Sequence, residues 1–198
     1  MKSFEYATPR TVDEAVELLA DNWGETEVLA GGTDLVTCLK QGLTKPARVV
    51  SLKAVKGLKG IAKDDDSLVI GAMTTMGQLA DHADVQKHFP ALATAAKNIA
   101  SPQLLSTGTV GGDLCQRPRC WYFRNGYGLL AHKDGKSLVI AGDNRYHAIF
   151  GNAGAAKFVS ASSLGPALIA LGATIKTSLR EIAADKFFQP PKSENERE

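Results

Sequence analysis

The chain has little of what marks several common classes of protein. Its 198 residues hold three cysteines, Cys38, Cys115 and Cys120. That odd count at low density excludes a disulfide-stapled scaffold. No apolar run approaches the ~20 residues needed to cross a bilayer. Met1-Lys2-Ser3-Phe4-Glu5 carries no signal-peptide pattern, so a cytoplasmic protein is expected. The net charge is only +2. Basic residues do not cluster except at Arg117, Arg119 and Arg124, which argues against general nucleic-acid binding. Two common phosphate motifs are missing: there is no G-x-x-x-x-G-K-[ST], and no G-x-G-x-x-G between a strand and a helix. No Ser-His-Asp series or pair of carboxylates stands out, so no catalytic residue is assigned.

What the chain does have is an apolar content of 44%, enough for a real core, and two glycine-rich loops far apart in sequence. The first reads Leu29-Ala30-Gly31-Gly32-Thr33-Asp34-Leu35, the second Thr107-Gly108-Thr109-Val110-Gly111-Gly112-Asp113-Leu114. Glycine lets a backbone turn tightly and approach a ligand closely, and the N–H groups of such a loop can cradle an anion. A hydrogen bond to a charged group contributes roughly 1.5–3 kcal/mol, so three or four would hold a pyrophosphate. A single such loop reads more readily as an ordinary turn; the pair points to a dinucleotide site.

Along the chain, Phe4-Glu5-Tyr6 reads as a strand and Thr11-Val12-Asp13-Glu14 as a capping box opening a helix to about Asn22. Glu27 to Ala30 is a strand feeding the first glycine loop. Asp34 to Gln41 is a helix stopped by Gly42, and Arg48 to Leu52 another strand. After a turn-rich stretch from Gly57, Leu68 to Ala72 is a strand. Thr74 or Thr75 caps a helix through His82, and Pro90 to Ala100 is helical. Trp121-Tyr122-Phe123 and His147-Ala148-Ile149-Phe150 read as strands, joined by a long connection from Gly126 to Asn144. Ser162 or Ser163 caps a helix through Leu171, and Ala173 to Lys176 is a final strand. Pro190 to Glu198 is polar, contains proline and is expected to be disordered.

Several side chains carry two readings each. Asp34 would cap a helix or contact a ribose hydroxyl, and the cap is the simpler reading. Asp113 carries the same alternatives with neither favoured. Cys115 and Cys120 with His132 and His147 fit no standard zinc spacing, so no metal ligand is assigned. Arg117, Arg119 and Arg124 around Trp121, Tyr122 and Phe123 form either an anion- or ring-binding surface or an amphipathic strand with solvated arginines.

Together these motifs resemble one family. The two glycine loops, with Ser101-Pro102-Gln103-Leu104 ahead of the second, look like the FAD loops of the FAD-binding subunit (subunit M) of the xanthine dehydrogenase and carbon monoxide dehydrogenase family, the molybdopterin dehydrogenases. Gln116 to Arg124 and Gly142 to Gly151 look like its aldehyde-oxidoreductase-type branch. The resemblance covers roughly residues 3–180.

The resemblance implies an α+β, two-subdomain PCMH-type (vanillyl-alcohol-oxidase-like) FAD-binding fold. Residues 1–55 would form a small α/β subdomain and residues 56–180 a mixed sheet with helices. Residues 181–198 would be a polar tail leading to a missing C-terminal domain. FAD would lie between the subdomains. Leu29 to Leu35 would wrap the pyrophosphate. Thr107, Gly108, Thr109, Gly111, Gly112 and Asp113 would approach the pyrophosphate and flavin, and Ser163 and Leu164 the adenosine half. The implied role is electron transfer from a molybdopterin-binding large subunit and a two-iron iron–sulfur small subunit through FAD to NAD or another acceptor. A truncated assembly module without FAD, or a free-standing flavin reductase, would fit the same fold. Three departures stand out: Asp113 where the family usually has Asn, Ser163 where it usually has Asp, and only Cys115 and Cys120 where the branch often has four cysteines for a four-iron cluster. No such cluster is expected here.

Overall fold

A computed structural model describes residues 1–99, 101–194 and 196. The opening segment builds a three-stranded parallel sheet. Its strands are β1 (Glu5–Ala7), β2 (Thr26–Leu29) and β3 (Arg48–Ser51), in the order β1-β3-β2. Helix α1 (Val12–Glu17) connects β1 to β2, and α2 (Leu35–Gln41) connects β2 to β3. The capping pattern at Thr11 works as the sequence indicates: the Thr11 hydroxyl accepts from the Glu14 N–H at 3.1 Å. The Glu14 carboxylate reaches back to the Arg10 N–H at 2.7 Å, so two otherwise orphaned donors at the helix start are satisfied. The central position of β3 explains its near-continuous apolar run. Val49 and Val50 are fully buried, and Val50 packs with Ala15 and Val55, as expected for a parallel strand covered on both faces.

A 3₁₀ turn at Leu52–Ala54 leads into a hairpin of β4 (Ile61–Asp64) and β5 (Ser67–Ile70). Helices α3 (Met76–Asp81), α4 (Ala83–His88), α5 (Pro90–Lys97), α6 (Pro102–Thr107) and α7 (Val110–Leu114) follow. Thr75 opens α3 with a full capping box to Gln78. Met76, Leu79, Val85, Leu92, Ala96 and Val110 form the largest apolar cluster, closed from one side by Leu164. The helix expected to run to Ala100 is described through Lys97; Ala100 lies outside the described residues, as do Asn195, Arg197 and Glu198 of the tail expected to be disordered.

Beyond the second glycine loop come α8 (Trp121–Arg124), a short hairpin of β6 (His132–Lys133) and β7 (Lys136–Ser137), and α9 (Leu138–Ala141). Then follow α10 (Gly165–Ala170), the hairpin of β8 (Thr174–Lys176) and β9 (Glu181–Ala183), and α11 (Ala184–Phe187). Cys120, Leu129, Leu130, Ala131, Val139, Ala156 and Phe158 make a separate apolar cluster in this stretch.

Three expectations need correction. Trp121 to Phe123 is a helical turn, not a strand: the Arg124 N–H donates to Cys120 O and the Asn125 N–H to Trp121 O. The three aromatics are all half-buried, so the alternation of a strand never develops. His147 to Phe150 is also no strand. Ile149 and Phe150 are 84% and 86% exposed, and adjacent exposed residues cannot alternate between a buried and a solvated face. Among the described residues, the strands after Leu52 form three separate antiparallel pairs and not one mixed sheet. The apolar side chains in that region are spent on helix packing, chiefly α3 against α5 and α6.

Candidate functional site: a cleft between two glycine loops

The two loops, separated in the chain by residues 36–106, meet. Gly31 lies so close to the second loop that a Cβ built on it would sit 1.9 Å from Thr107 O. Only a residue without a side chain fits there. Both loops line one cleft with a volume of about 590 Å³. Of the residues expected to bind a cofactor, Ala30, Gly31, Gly32, Thr33, Asp34, Leu35, Thr109, Gly111 and Gly112 line it. Leu29 ends β2 behind this wall, and the Thr107 hydroxyl donates to Gln103 O at 2.6 Å. Gly108 packs under the wall, where a Cβ would stand 2.7 Å from Leu104 O.

The loops differ in where their N–H groups go. In the second loop five of them are taken by other groups of the protein. Gly108 N–H donates to Leu104 O, Val110 to Thr74 O, Gly111 to Ala72 O, and Asp113 to Thr109 O; Gly112 donates to the Thr109 hydroxyl at 3.2 Å. In the first loop, no group among the described residues accepts from the N–H of Gly31, Gly32, Thr33 or Asp34. Most backbone donors in a folded chain find a partner, so four successive donors without one, in residues that line a cleft, are available to an anion.

Asp34 holds the first loop in place, and does so in a way the helix-cap reading missed. It occupies the cap position of α2, yet its side chain caps nothing. Its carboxylate turns outward, accepting from the Arg117 N–H at 2.8 Å, Arg119 Nη1 at 2.8 Å and Arg124 Nη2 at 2.9 Å. Burial on its own would raise the Asp34 pKa; the Arg117 N–H and the guanidinium charges outweigh it and hold the carboxyl below its ordinary value. Arg124 also reaches Pro118 O at 2.8 Å and Cys38 Sγ at 3.1 Å. Burial pushes the Cys38 thiol up. Arg117 pairs with Glu27 at 3.1 Å and stacks over the Trp23 ring at 4.7 Å. The arginines are therefore neither a solvated strand face nor a bare anion patch: they tie the 116–124 segment to the first loop.

Asp113 is a second hub. Its buried carboxylate accepts from the Ser162 hydroxyl at 2.5 Å, Ser163 N–H at 3.2 Å, Leu164 N–H at 3.0 Å and Gln116 Nε2 at 3.0 Å. The Ser162 hydroxyl in turn accepts from the N–H of Gly165, the first residue of α10, at 2.9 Å, although the cap position itself is Leu164. Ser163 and Leu164 thus meet the second loop through their N–H groups, while the Leu164 side chain is fully buried in the core. Cys115 is exposed and Cys120 buried. Cys120 Sγ lies 3.1 Å from His147 Nε2, and burial lowers the His147 pKa. Among the described residues no group of three or more His, Cys, Asp or Glu is placed to hold a metal. Trp23, Glu27 and the Gly128–Leu130 turn escaped the sequence reading although Trp23, Glu27, Gly128 and Leu129 line the cleft; nothing in their spacing marks them.

The fold and this cleft define a class, an α+β domain with a cleft between two glycine loops. The chain belongs to the family of FAD binding domains in molybdopterin dehydrogenase, whose model matches residues 2–198. It is 40% identical over 111 residues to the carbon monoxide dehydrogenase medium chain of Hydrogenophaga pseudoflava, a match covering 56% of this chain and 39% of that one. It is 39% identical over 111 residues to the xanthine dehydrogenase FAD-binding subunit of Escherichia coli O157:H7, covering 56% and 38%. Among solved structures, the carbon monoxide dehydrogenase from H. pseudoflava that lacks the Mo-pyranopterin moiety superimposes with a TM-score of 0.54 at 39% identity, over 57% of this chain and 39% of that chain. Quinoline 2-oxidoreductase from Pseudomonas putida 86 gives 0.54 at 31% identity, over 58% and 41%. The matches thus span about two-fifths of these relatives' own length.

The residues fit the cofactor of the family. FAD carries a pyrophosphate, which needs several convergent donors. The Gly31–Asp34 run supplies the donors, and Asp34 and Asp113 are both turned to protein partners. Among the described residues no helix is long and apolar enough to cross a membrane.

Proposed function

We propose that this chain binds FAD in the cleft between the glycine loops and serves as the FAD-binding electron-transfer subunit of a molybdenum hydroxylase-type oxidoreductase. The observation that carries this reading is the run of four unpartnered N–H groups at Gly31–Asp34, held against the second loop by the Gly31–Thr107 contact. At roughly 1.5–3 kcal/mol per charge-assisted hydrogen bond, these groups provide most of the affinity for a pyrophosphate. Thr33 adds a hydroxyl at the same wall. Leu29, Thr107, Gly108, Asp113, Ser163 and Leu164, also expected at the cofactor, are not among the residues that line the cleft.

When bound, the flavin ring supplies the redox chemistry by taking up and giving on electrons, and the protein positions and tunes it. In this proposal the electrons come from a molybdopterin-binding large subunit and a two-iron small subunit, and leave to NAD or another acceptor, in the cytoplasm. The chain contributes no substrate turnover of its own. Residues 1–55 and 56–180 act as the two cofactor-binding subdomains. The names of the relatives support the assembly: they include medium chains and FAD subunits of dehydrogenases acting on carbon monoxide, xanthine and nicotinate.

One surface favours a secondary role in assembly. Tyr146, Ile149 and Phe150 are exposed apolar side chains close together in sequence, a feature of docking faces. The test is the visible absorption of the purified chain before and after adding FAD, followed through gel filtration. Flavin that stays with the protein supports the cofactor role. If none is retained even with excess FAD, the cofactor role falls and the assembly module remains.

A further inference from the structure

The same cleft has a second set of inward N–H groups, and a carboxylate from the chain's own tail already sits on it. Gly128 takes a φ of +81° and Ala131 a φ of +54°. The turn between them is closed by a hydrogen bond from Ala131 N–H to Gly128 O. A left-handed alanine is a costly conformation that only surrounding structure maintains. Beside it, the successive N–H groups of Leu129 and Leu130 turn to one side, the arrangement of an anion-binding nest. Leu129 N–H donates to Glu194 Oε2 at 2.5 Å, and Leu130 N–H to Glu194 Oε1 at 3.1 Å. Leu129 and Leu130 are 5% and 7% exposed, so these donors have little access to bulk water. Gly128, Leu129 and Glu194 all line the cleft that the glycine loops line.

We infer that the Gly128–Leu130 turn is an anion seat in the wall of the cofactor cleft. Glu194 is its built-in occupant, and a phosphate-class ligand competes with it. The inference rests on the reading that the cleft takes FAD. Two nearly buried N–H groups require an acceptor, and while the tail supplies it a negative charge stands in a cleft that must accept a pyrophosphate. Like charges sharing one cleft repel. Gly128 adds a steric sign of the same fit: a Cβ there would stand 2.6 Å from Glu194 Oε2, so the turn closes tightly on the carboxylate. The tail is therefore a competitive regulator of cofactor loading, released when the ligand's anionic group or another partner takes the seat.

The test uses the full chain, with Glu194→Ala to vacate the seat and Glu194→Gln to keep its shape without charge. Inorganic phosphate is titrated while the backbone amide resonances of Leu129 and Leu130 are followed, and FAD affinity is measured separately. Phosphate should move both amides in Glu194→Ala and leave them unmoved in the parent at the same concentration. FAD should bind Glu194→Ala roughly tenfold more tightly than the parent, with Glu194→Gln between. Unmoved amides in Glu194→Ala would overturn the anion seat. Moved amides with equal FAD affinities would overturn the competition. If no variant binds FAD, the cofactor reading fails, while the phosphate titration still decides the seat.

Discussion

In the first glycine loop the N–H groups of Gly31 to Asp34 meet no acceptor among the described residues, whereas in the second those of Gly108, Val110, Gly111, Gly112 and Asp113 are all taken by the chain itself. Both loops place paired glycines beside a threonine and an aspartate, yet the similarity conceals a division of labour. The first presents donors to a ligand. The second is a buttress, folded into the short helix α7 and packed on Ala72, with Thr107 against Gly31, so that the first has a fixed surface to stand on. The aspartates divide in the same way. Asp34 binds outward to the arginine segment, and Asp113 binds inward to the start of α10.

The substitution that breaks this comparison most completely is Gly31→Ala. Its methyl group would meet backbone, not a movable side chain, so the loops must separate. Overpacking of this kind costs about 3 kcal/mol. The expected result is a lowered Tm and loss of retained flavin together, read by thermal unfolding and by absorption after gel filtration. A Gly31→Ala protein with parental Tm and flavin content would show that the loops need not touch.

Asp113→Ala tests the buttress alone. It leaves the Ser162 hydroxyl and the Leu164 N–H buried without their acceptor, at a cost of about 3 kcal/mol. Stability should fall by that amount in denaturant unfolding. FAD affinity, measured under conditions where the variant stays folded, should change little. A variant that keeps its stability but loses FAD would place Asp113 at the ligand and reverse the roles drawn here.

Asp34→Asn tests the mount of the first loop. It weakens three charge-assisted contacts at a half-buried site, and about 1–2 kcal/mol of stability should be lost. The pH dependence has a definite sign. A carboxyl whose folded pKa lies below its unfolded value stabilises the fold above that unfolded value. The contribution should therefore be fully present above about pH 4, and lost as pH falls below the ordinary 3.8 toward the lower folded value. Parent and Asp34→Asn stabilities measured from pH 6 to pH 2.5 should converge at the acid end. A gap that stays constant through that range would remove the arginine network as its cause.

The sequence made the cleft legible mainly where function demands a special backbone. Gly31, Gly32, Gly111 and Gly112 stand out because paired glycines mark places where the backbone turns tightly or is approached closely. The capping boxes at Thr11 and Thr75 were equally plain, since they depend on residues three apart. Asp34 was read as a cap because local rules see only α2; its partners Arg119 and Arg124 are 85 and 90 residues away. The segment from Trp121 to Phe150 misled for a related reason. Its short apolar runs fit a strand or a helical turn equally, and the choice was made by Arg124 reaching back to Pro118 and Asp34. Glu194 had no signal at all, because one glutamate in a polar tail is indistinguishable from its neighbours until the Gly128 turn receives it.

The finest test compares the two threonines that follow or precede the paired glycines. Thr109 is buried and its hydroxyl accepts from Gly112 N–H, so Thr109→Val removes a helix cap while keeping the shape of the side chain. That should cost about 1 kcal/mol of stability and leave the donors of the first loop untouched. Thr33 sits on the cleft wall and has no role in holding the second loop, so Thr33→Val should leave stability within about 0.5 kcal/mol of the parent. Its effect should appear in FAD affinity instead, as a loss of up to about tenfold for one hydrogen bond. Unfolding curves and FAD titrations of both variants separate the two effects. If Thr109→Val weakens FAD and Thr33→Val does not, the second loop is the one that touches the ligand, and the free N–H groups at Gly31–Asp34 serve something else.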